Sequence, residues 1–512
     1  MKNHKAIDAG VVLLAVAASL WLGFSELSTP ALWHDELIHA FVGKSIAETG
    51  EARLPSGVPY FNGTTWNLIL SVMINGWGMT ESALRTPSVL FAALNVLLSF
   101  WIARTLLGRY PALVTAWLMA LSPWTIAWAR EARFYTLQLS LYLIVMACLW
   151  KAWSESGEEE KSRPVLLGAL VSGLCAYALG ILTSFHSILF LAGIGAFVCC
   201  SWLGHRKIKS SDTIWIVAIG AVGVITLFSF RLLMNPLDQE AVYDRGGLGG
   251  GMVDAARGAR AYYFMWLTDN HSIGYFALAM IGFPVMIWKR GRHGIFAALA
   301  FWGPLLVLTF FIGYRRPRFM FFLFPFYVMA VSYGGVFLVE WLRKEKPGIL
   351  TKVVAIGCIL FLGRVGVSAY KLTGDSIEYA EGSHVSLARR HPQWKKPTAW
   401  VKQHMKNEDV IITTTFLPVL HYVGRADNWY PTRSLWWEVD ESGIDNLKQV
   451  EDLQRYVEAH PKGYFISEWW RFERNQWPHG GFEPDIEWVQ ANMTRIDEAS
   501  SDDVFVYQWG TD

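Results

Sequence analysis

The apolar positions of this chain run in long unbroken stretches, and about 20 such residues are what a helix needs to cross the hydrocarbon layer. Eleven stretches can be marked, at residues 7–24, 85–107, 111–129, 134–152, 165–183, 186–203, 213–232, 272–288, 294–312, 319–341 and 348–369, divided by charged or Gly/Pro-rich breaks. The first follows a basic start, Met1 to Lys5, as a signal peptide would, but it is long and no small-x-small cleavage site follows Phe24. It reads as a retained anchor. In segment 25–84 an amphipathic helix starts near Trp33, carries Ile38, Val42 and Ile46 on one face and stops at Gly50. From about residue 371 the pattern turns polar, with strands expected at 409–415, 463–467 and 503–508 and a helix at 397–406. The expected architecture is a polytopic α-helical membrane domain over 1–370 and a soluble α/β domain over 371–512.

Basic residues near the span ends orient the chain. With the N-terminus inside, Lys2/Lys5, Arg104/Arg109, Lys151/Lys161/Arg163, Arg206/Lys207/Lys209, Lys289/Arg290/Arg292 and Arg343/Lys344/Lys346 all lie on the inner side. An odd number of spans then puts the C-terminal domain outside. In the outer interspan segments Lys44 is the one lysine, yet arginines abound, an excess that suits a site for an anionic ligand.

Composition agrees with a membrane chain: of 512 residues, 53% are hydrophobic and 17% charged, and the mean hydropathy is +0.27. The near balance of 45 basic and 43 acidic residues, net +2, gives no support to a nucleic-acid partner. Cys148, Cys175, Cys199, Cys200 and Cys358 all lie in apolar runs without metal-ligand spacing, which disfavours a disulfide scaffold or a zinc module.

Candidate chemistry collects at the outer span ends. Asp35 and His39 are four apart and share a helical face, while Glu36 points roughly 100° away. Asp35 alone reads equally as a helix-start residue or a catalytic carboxylate. Arg130-Glu131-Ala132-Arg133, followed by Phe134-Tyr135, packs three charges into a short turn. His186 stands at the next outer turn. Arg315, Arg316 and Arg318 repel one another unless an anion joins them, and the planar guanidinium fork suits phosphate. The Gly-rich stretch 246–251 lacks the Gly-Lys-Ser/Thr ending of a phosphate-binding loop and reads as an outer loop.

Asp35-Glu36 after an anchor span, Ala83-Leu-Arg85-Thr-Pro87-Ser88, Ser122-Pro123, Arg130 to Tyr135, His186, and Arg318 with Phe322-Leu-Phe-Pro325 occur in an order that resembles the GT-C class of membrane glycosyltransferases. The relatives in view are the bacterial and archaeal kin of protein O-mannosyltransferases and of the lipid A aminoarabinose transferase. The resemblance implies transfer of a sugar from a polyprenyl-phosphate carrier to a glycan, lipid or protein acceptor at the outer face, with inversion. It implies Asp35 as base, Glu131 as second site carboxylate, and Arg318 as donor-site arginine. Around them Glu36, His39, Arg85, Arg130, Arg133, Tyr135, His186, Arg315 and Arg316 are expected to bind substrate. Some relatives use a divalent metal ion, and the carboxylates leave that role open. The Glu-Lys-Pro-Pro element of aminoarabinose transferases is replaced here by Tyr60-Phe-Asn-Gly-Thr-Thr-Trp-Asn67, so the resemblance does not extend to that donor or to a lipid A acceptor.

Two other classes compete. A secondary transporter would place its charges near the midplane and show repeated halves, and a binding protein would not need the Asp35, Glu131 and arginine combination.

Overall fold

The computed structural model describes residues 2–155, 163–196, 262–311, 317–345, scattered positions from 348 to 367, and 392–430, 445–447, 449–468 and 483–510. The expected span at 213–232, the Gly-rich stretch, Arg315 and Arg316 lie outside these residues, and 348–369 lies largely outside.

The described chain falls into two compact units. The first comprises Met1–Leu27, Phe61–Trp66 and Arg85–Arg389. Its helices are α1 (Lys2–Phe24), α4 (Glu81–Leu106, from Arg85 onward), α5 (Arg109–Leu121), α6 (Pro123–Ala129), α7 (Tyr135–Glu155), α8 (Arg163–Thr183), α9 (Tyr262–Arg290), α10 (Arg292–Phe311) and α11 (Phe324–Glu345). Among the described residues five helices are long and apolar enough to cross a membrane, and the pair α5/α6, bent by 53° where Pro123 follows Ser122, makes a sixth if counted as one span. This is a multi-pass membrane protein. Short 3₁₀ segments at Phe185–Leu189 and Pro317–Leu323 precede further helix.

Helix packing here relies on small residues that let backbones approach, as it must where lipid competes for apolar contact. A Cβ added at Gly282 of α9 would collide with the Ala330 carbonyl of α11, and one at Gly334 of α11 with that of Leu278. The two ends of this unit differ in chemistry. Near the start of α1, Asp8 Oδ1 meets Arg109 Nη2 at 2.8 Å, and Arg104 lies 3.7 Å from Asp8 Oδ2. The opposite end of α1 meets Arg85 and Arg130.

The second unit joins Ser28–Tyr60 and Asn67–Leu84 to Arg390–Asp512. It holds α2 (His34–Thr49), α3 (Thr64–Trp77, from Asn67 onward), α12 (Lys395–His404), α13 (Phe416–Tyr422), α14 (Val450–Ala459) and α15 (Glu483–Asn492). The strands are β1 (Val410–Thr413), β2 (Asn428–Trp429), β3 (Asp445–Asn446), β4 (Gly463–Glu468), β5 (Thr494–Arg495) and β6 (Val504–Trp509), in one sheet of order β3-β2-β1-β4-β6-β5. Neighbours from β3 to β4 run parallel, and β6 pairs antiparallel with both β4 and β5. Ile412, Phe465 and Tyr507 lie in one register row across β1, β4 and β6 and form the core with Leu453 and Val489. All three sequence segments read as strands are strands.

Helix α2 stops where expected: Gly50 takes a left-handed φ of 78° and donates to the Ile46 carbonyl. Its buried face is broader than the expected one. Leu37, Ala40, Val42 and Gly43 are buried, while Ile38 and Ile46 are only half-buried. Gly43 explains the turn of the helix, because a Cβ there would meet Leu70 Cβ at 3.0 Å and the Asn67 carbonyl at 3.3 Å. The bare backbone brings α2 close against α3.

Candidate active site

The charged turn between α6 and α7 is built from its backbone outward. Ser88 Oγ donates to the carbonyl of Glu131 at 2.5 Å and to that of Arg133 at 3.3 Å. Trp66 Nε1 donates to the Ala132 carbonyl at 3.1 Å, and Asn95 Nδ2 to that of Thr136 at 2.9 Å. Ser140 Oγ in turn donates to Asn95 Oδ1 at 2.7 Å. A buried loop must satisfy its carbonyls, and here the side chains of Trp66, Ser88 and Asn95, all of the first unit, do so. Sequence reasoning missed these supports, although Ser88 belongs to the Arg85–Ser88 motif and Asn95 is a polar residue inside an apolar run.

Arg130 has a definite job in the fold. Its Nη1 donates to the carbonyls of Leu22 at 3.4 Å, Gly23 at 3.3 Å and Ser25, and its Nη2 to that of Glu26 at 3.2 Å. The last carbonyls of a helix have no partners of their own, and a cation suits the negative end of the helix dipole. Burial, and then the neighbouring Arg85 charge, pull the Arg130 guanidinium down to about 10 against the pull of Glu26, which leaves it cationic at neutral pH. Arg85, fully buried, donates to the next carbonyl in line, Leu27, at 3.0 Å. Both residues, expected from sequence to bind substrate, hold the exit of α1.

Glu131 and Arg133 are buried beside this anchor. The Arg133 guanidinium lies 5.3 Å from the Phe134 ring centre and 5.5 Å from that of Tyr135, and its Nη2 donates to the Tyr135 hydroxyl at 3.3 Å. Aromatic contacts lead from here to the Arg318 segment: Tyr135 packs on Trp128 at 4.3 Å, and Trp128 and Trp124 meet Phe321 at 6.2 and 5.0 Å. His186 stacks on Phe319 at 3.9 Å, with the half-buried Arg318 guanidinium 5.7 Å from the same ring. Gln138 Nε2 donates to Ser187 Oγ at 3.2 Å, so α7 also holds the His186 turn. Thus Glu131, Arg133, Tyr135, His186 and Arg318 gather at the end of the first unit opposite the Asp8–Arg109 pair.

Asp35, Glu36 and His39 belong to the second unit. Asp35 is half-buried on the first turn of α2. Glu36 is fully buried, and its Oε2 accepts the Trp33 N–H at 3.2 Å, a bond from the first turn back to the residue before it that fixes how the chain enters the helix. His39, also fully buried, has Nδ1 2.7 Å from Asn67 Oδ1 and its ring edge-on to Tyr60 at 5.9 Å. The three neighbours therefore divide their work: Glu36 and His39 are engaged inside the fold, and Asp35 reaches solvent. Among the described residues no three His, Cys, Asp or Glu side chains gather as a metal-binding group.

Residues 63–231 match the family model described as dolichyl-phosphate-mannose-protein mannosyltransferase. No curated protein matches the chain by sequence. Among solved structures, ArnT from Cupriavidus metallidurans in the apo state aligns with a TM-score of 0.63 at 13% identity, over 98% of both chains. The same protein bound to undecaprenyl phosphate gives 0.64 at 13% identity, again over 98% of both. The archaeal oligosaccharyltransferase AglB from Archaeoglobus fulgidus, in complex with an inhibitory peptide and a dolichol-phosphate, gives 0.65 at 12% identity over 98% of this chain and 74% of its own. At such identities the likeness is one of fold. That fold is the GT-C fold of membrane glycosyltransferases, as the order of motifs in the sequence led us to expect.

Proposed function

We propose, from a chain with the GT-C fold, that it transfers a sugar from a polyprenyl-phosphate donor to a hydroxyl acceptor at the outer face of the membrane, with inversion at the anomeric carbon. The observation that carries this reading is the cluster of Glu131, Arg133 and Arg318, joined through Trp128 and Phe321 at one end of the membrane unit. Fixed cations at that depth meet a lipid phosphate without moving charge to the bilayer centre. Undecaprenyl phosphate in the ArnT structure and dolichol-phosphate in the AglB structure support the same class of carrier.

In this mechanism the Asp35 carboxylate takes the acceptor proton as the hydroxyl oxygen attacks C1. The bond from C1 to the phosphate oxygen breaks, and its electron pair leaves with the lipid phosphate. The charge growing on that phosphate is met by Arg318 and Arg133, whose forked donors suit it, and preorganised donors count most where charge develops. Attack opposite the leaving phosphate inverts the anomeric centre. Glu131, between two arginines, serves as the second carboxylate that orients donor or acceptor. Arg85 and Arg130 hold the exit of α1 and are assigned no contact with substrate. The second unit, with Asp35, lies on the extracytoplasmic side.

Mass spectrometry of the lipid, glycan and secreted-protein fractions of a deletion strain, set against its parent, tests the proposal. We expect one sugar residue to disappear from one acceptor, with its polyprenyl-phosphate donor accumulating. Identical fractions would overturn the reading.

A further inference from the structure

Tyr422 closes α13, far along the chain from the candidate base, yet its hydroxyl sits at the entrance to α2. Tyr422 Oη accepts the N–H of Leu32 at 2.8 Å and donates to Glu81 Oε1 at 2.9 Å. The same Glu81 oxygen takes Lys395 Nζ at 2.9 Å, and Lys395 also donates to the carbonyl of Ser28. One hydroxyl, one carboxylate and one ammonium thus tie the C-terminal residues to both ends of the 28–84 stretch. Charge-assisted bonds of this kind are shorter and stronger than neutral ones.

The position of this node decides what it can do. Leu32 is held by Tyr422, Trp33 is held by the Glu36 carboxylate, and Asp35 stands two residues further on, within the first turn of α2. With two successive backbone N–H groups fixed, the path of the chain into the helix is fixed, and with it the origin of the Asp35 side chain. The flank of α2 is held by the same short helix, because Phe41 packs edge-on against His421 at 6.5 Å.

We infer that Tyr422 is a positioning residue for the proposed base, so that the C-terminal domain sets the place of Asp35 through the Tyr422–Leu32 hydrogen bond. The inference rests on the reading of Asp35 as base given above. It predicts a specific cost: a reacting group displaced by about 1 Å can lose up to roughly a hundredfold in rate without loss of binding.

The test uses the full-length purified chain and polyprenyl-phosphate mannose, following release of polyprenyl phosphate. Tyr422→Phe keeps the ring and removes both hydroxyl bonds. We expect kcat to fall about tenfold with donor KM unchanged, and amide exchange to quicken at residues 32–38 while the sheet residues keep their protection. Glu81→Gln, which keeps an acceptor for the hydroxyl and loses the charge, is expected to fall in between and serves if Tyr422→Phe does not fold. In a double-mutant cycle with Asp35→Asn, the second substitution should add little to the first, because both act on one group. Wild-type kcat in Tyr422→Phe, or fully multiplicative effects in the cycle, would overturn this inference and leave the reading of Asp35 standing. Wild-type turnover in Asp35→Asn would instead remove the base itself.

Discussion

Ser88 holds Glu131 by the main chain: its hydroxyl lies 2.5 Å from the Glu131 carbonyl oxygen and 3.3 Å from that of Arg133. The turn that presents a carboxylate and a guanidinium is therefore fastened by groups that take no part in the chemistry we assign to it. Ser88→Ala leaves two buried carbonyls with weaker satisfaction, which costs about 1–3 kcal/mol. A lower melting temperature in detergent and a reduced kcat are expected together, and a variant with normal stability and normal kcat would show the bond to be dispensable.

Arg130 gives the opposite pattern. Because its guanidinium serves the carbonyls of Leu22, Gly23, Ser25 and Glu26, Arg130→Ala strips a buried cap of charged hydrogen bonds, each of about 1.5–3 kcal/mol. Low yield and low thermal stability are expected, with the donor KM of the surviving protein close to normal. Arg130→Lys keeps the charge but reaches fewer carbonyls, so it should recover stability only in part. A stable Arg130→Ala protein with a raised donor KM would return Arg130 to the substrate site.

For Arg318, near Phe319 and His186, the expected loss is in rate. A guanidinium that meets the charge developing on the leaving phosphate stabilises the transition state more than the bound donor. Arg318→Ala should lower kcat by about 10²–10³, the scale of losing one preorganised donor, while Arg318→Lys regains part of it. Steady-state kinetics with a short-chain donor reads both numbers, and an unchanged kcat and KM would leave Arg318 as an interfacial anchor.

The α2–α13 contact carries a pH dependence. Burial first, opposed by Glu81 and reinforced by Lys395 and Lys44, holds the His421 ring below its ordinary value, where it packs against Phe41 and Tyr422. A histidine whose folded value is lowered contributes stability in full above the unfolded value of about 6.5 and loses it as the pH falls below that toward the folded one. Melting temperatures compared at about pH 7.5 and about pH 5.5 should show a drop that shrinks in His421→Gln, and an equal drop in both proteins would assign the acid sensitivity elsewhere.

Sidedness is open to direct labelling. In a cysteine-free background, single cysteines at Glu48 and Glu451, both exposed, should react with an impermeant thiol reagent in intact cells, and one at Lys151, also exposed, should not. Protection of residues 48 and 451 together would move the whole second unit, Asp35 included, to the inner side.

Much of the membrane unit was legible because a span needs only length and apolarity, and α1, α4, α7 and α10 lie close to their expected bounds. The break at Pro123 was not, since residues 111–129 are apolar throughout and hydropathy does not register a bend of 53°. Charge density at membrane level singled out Arg130, Glu131, Arg133 and Arg318, which the structure gathers at one end of the first unit. It did not show that the Arg130 guanidinium serves main-chain carbonyls, because these lie over a hundred residues away in sequence, as Gly23 does. The breadth of the buried face on α2 has a similar cause: Gly43 counts for nothing in a hydrophobic pattern, yet it lets the helix come close against α3.

The bond between Leu32 and Tyr422 spans 390 positions of sequence. Long-range pairings of this sort form late, since the chain between them must first be made and its ends brought together. During synthesis the Asp35 helix emerges early and waits, incompletely supported, until α13, which carries Tyr422, has been made and folded. A product stalled before α13 would thus carry α1 to α11 and still leave the proposed base unsupported at Leu32, so that it is the making of α13 that completes the setting of Asp35.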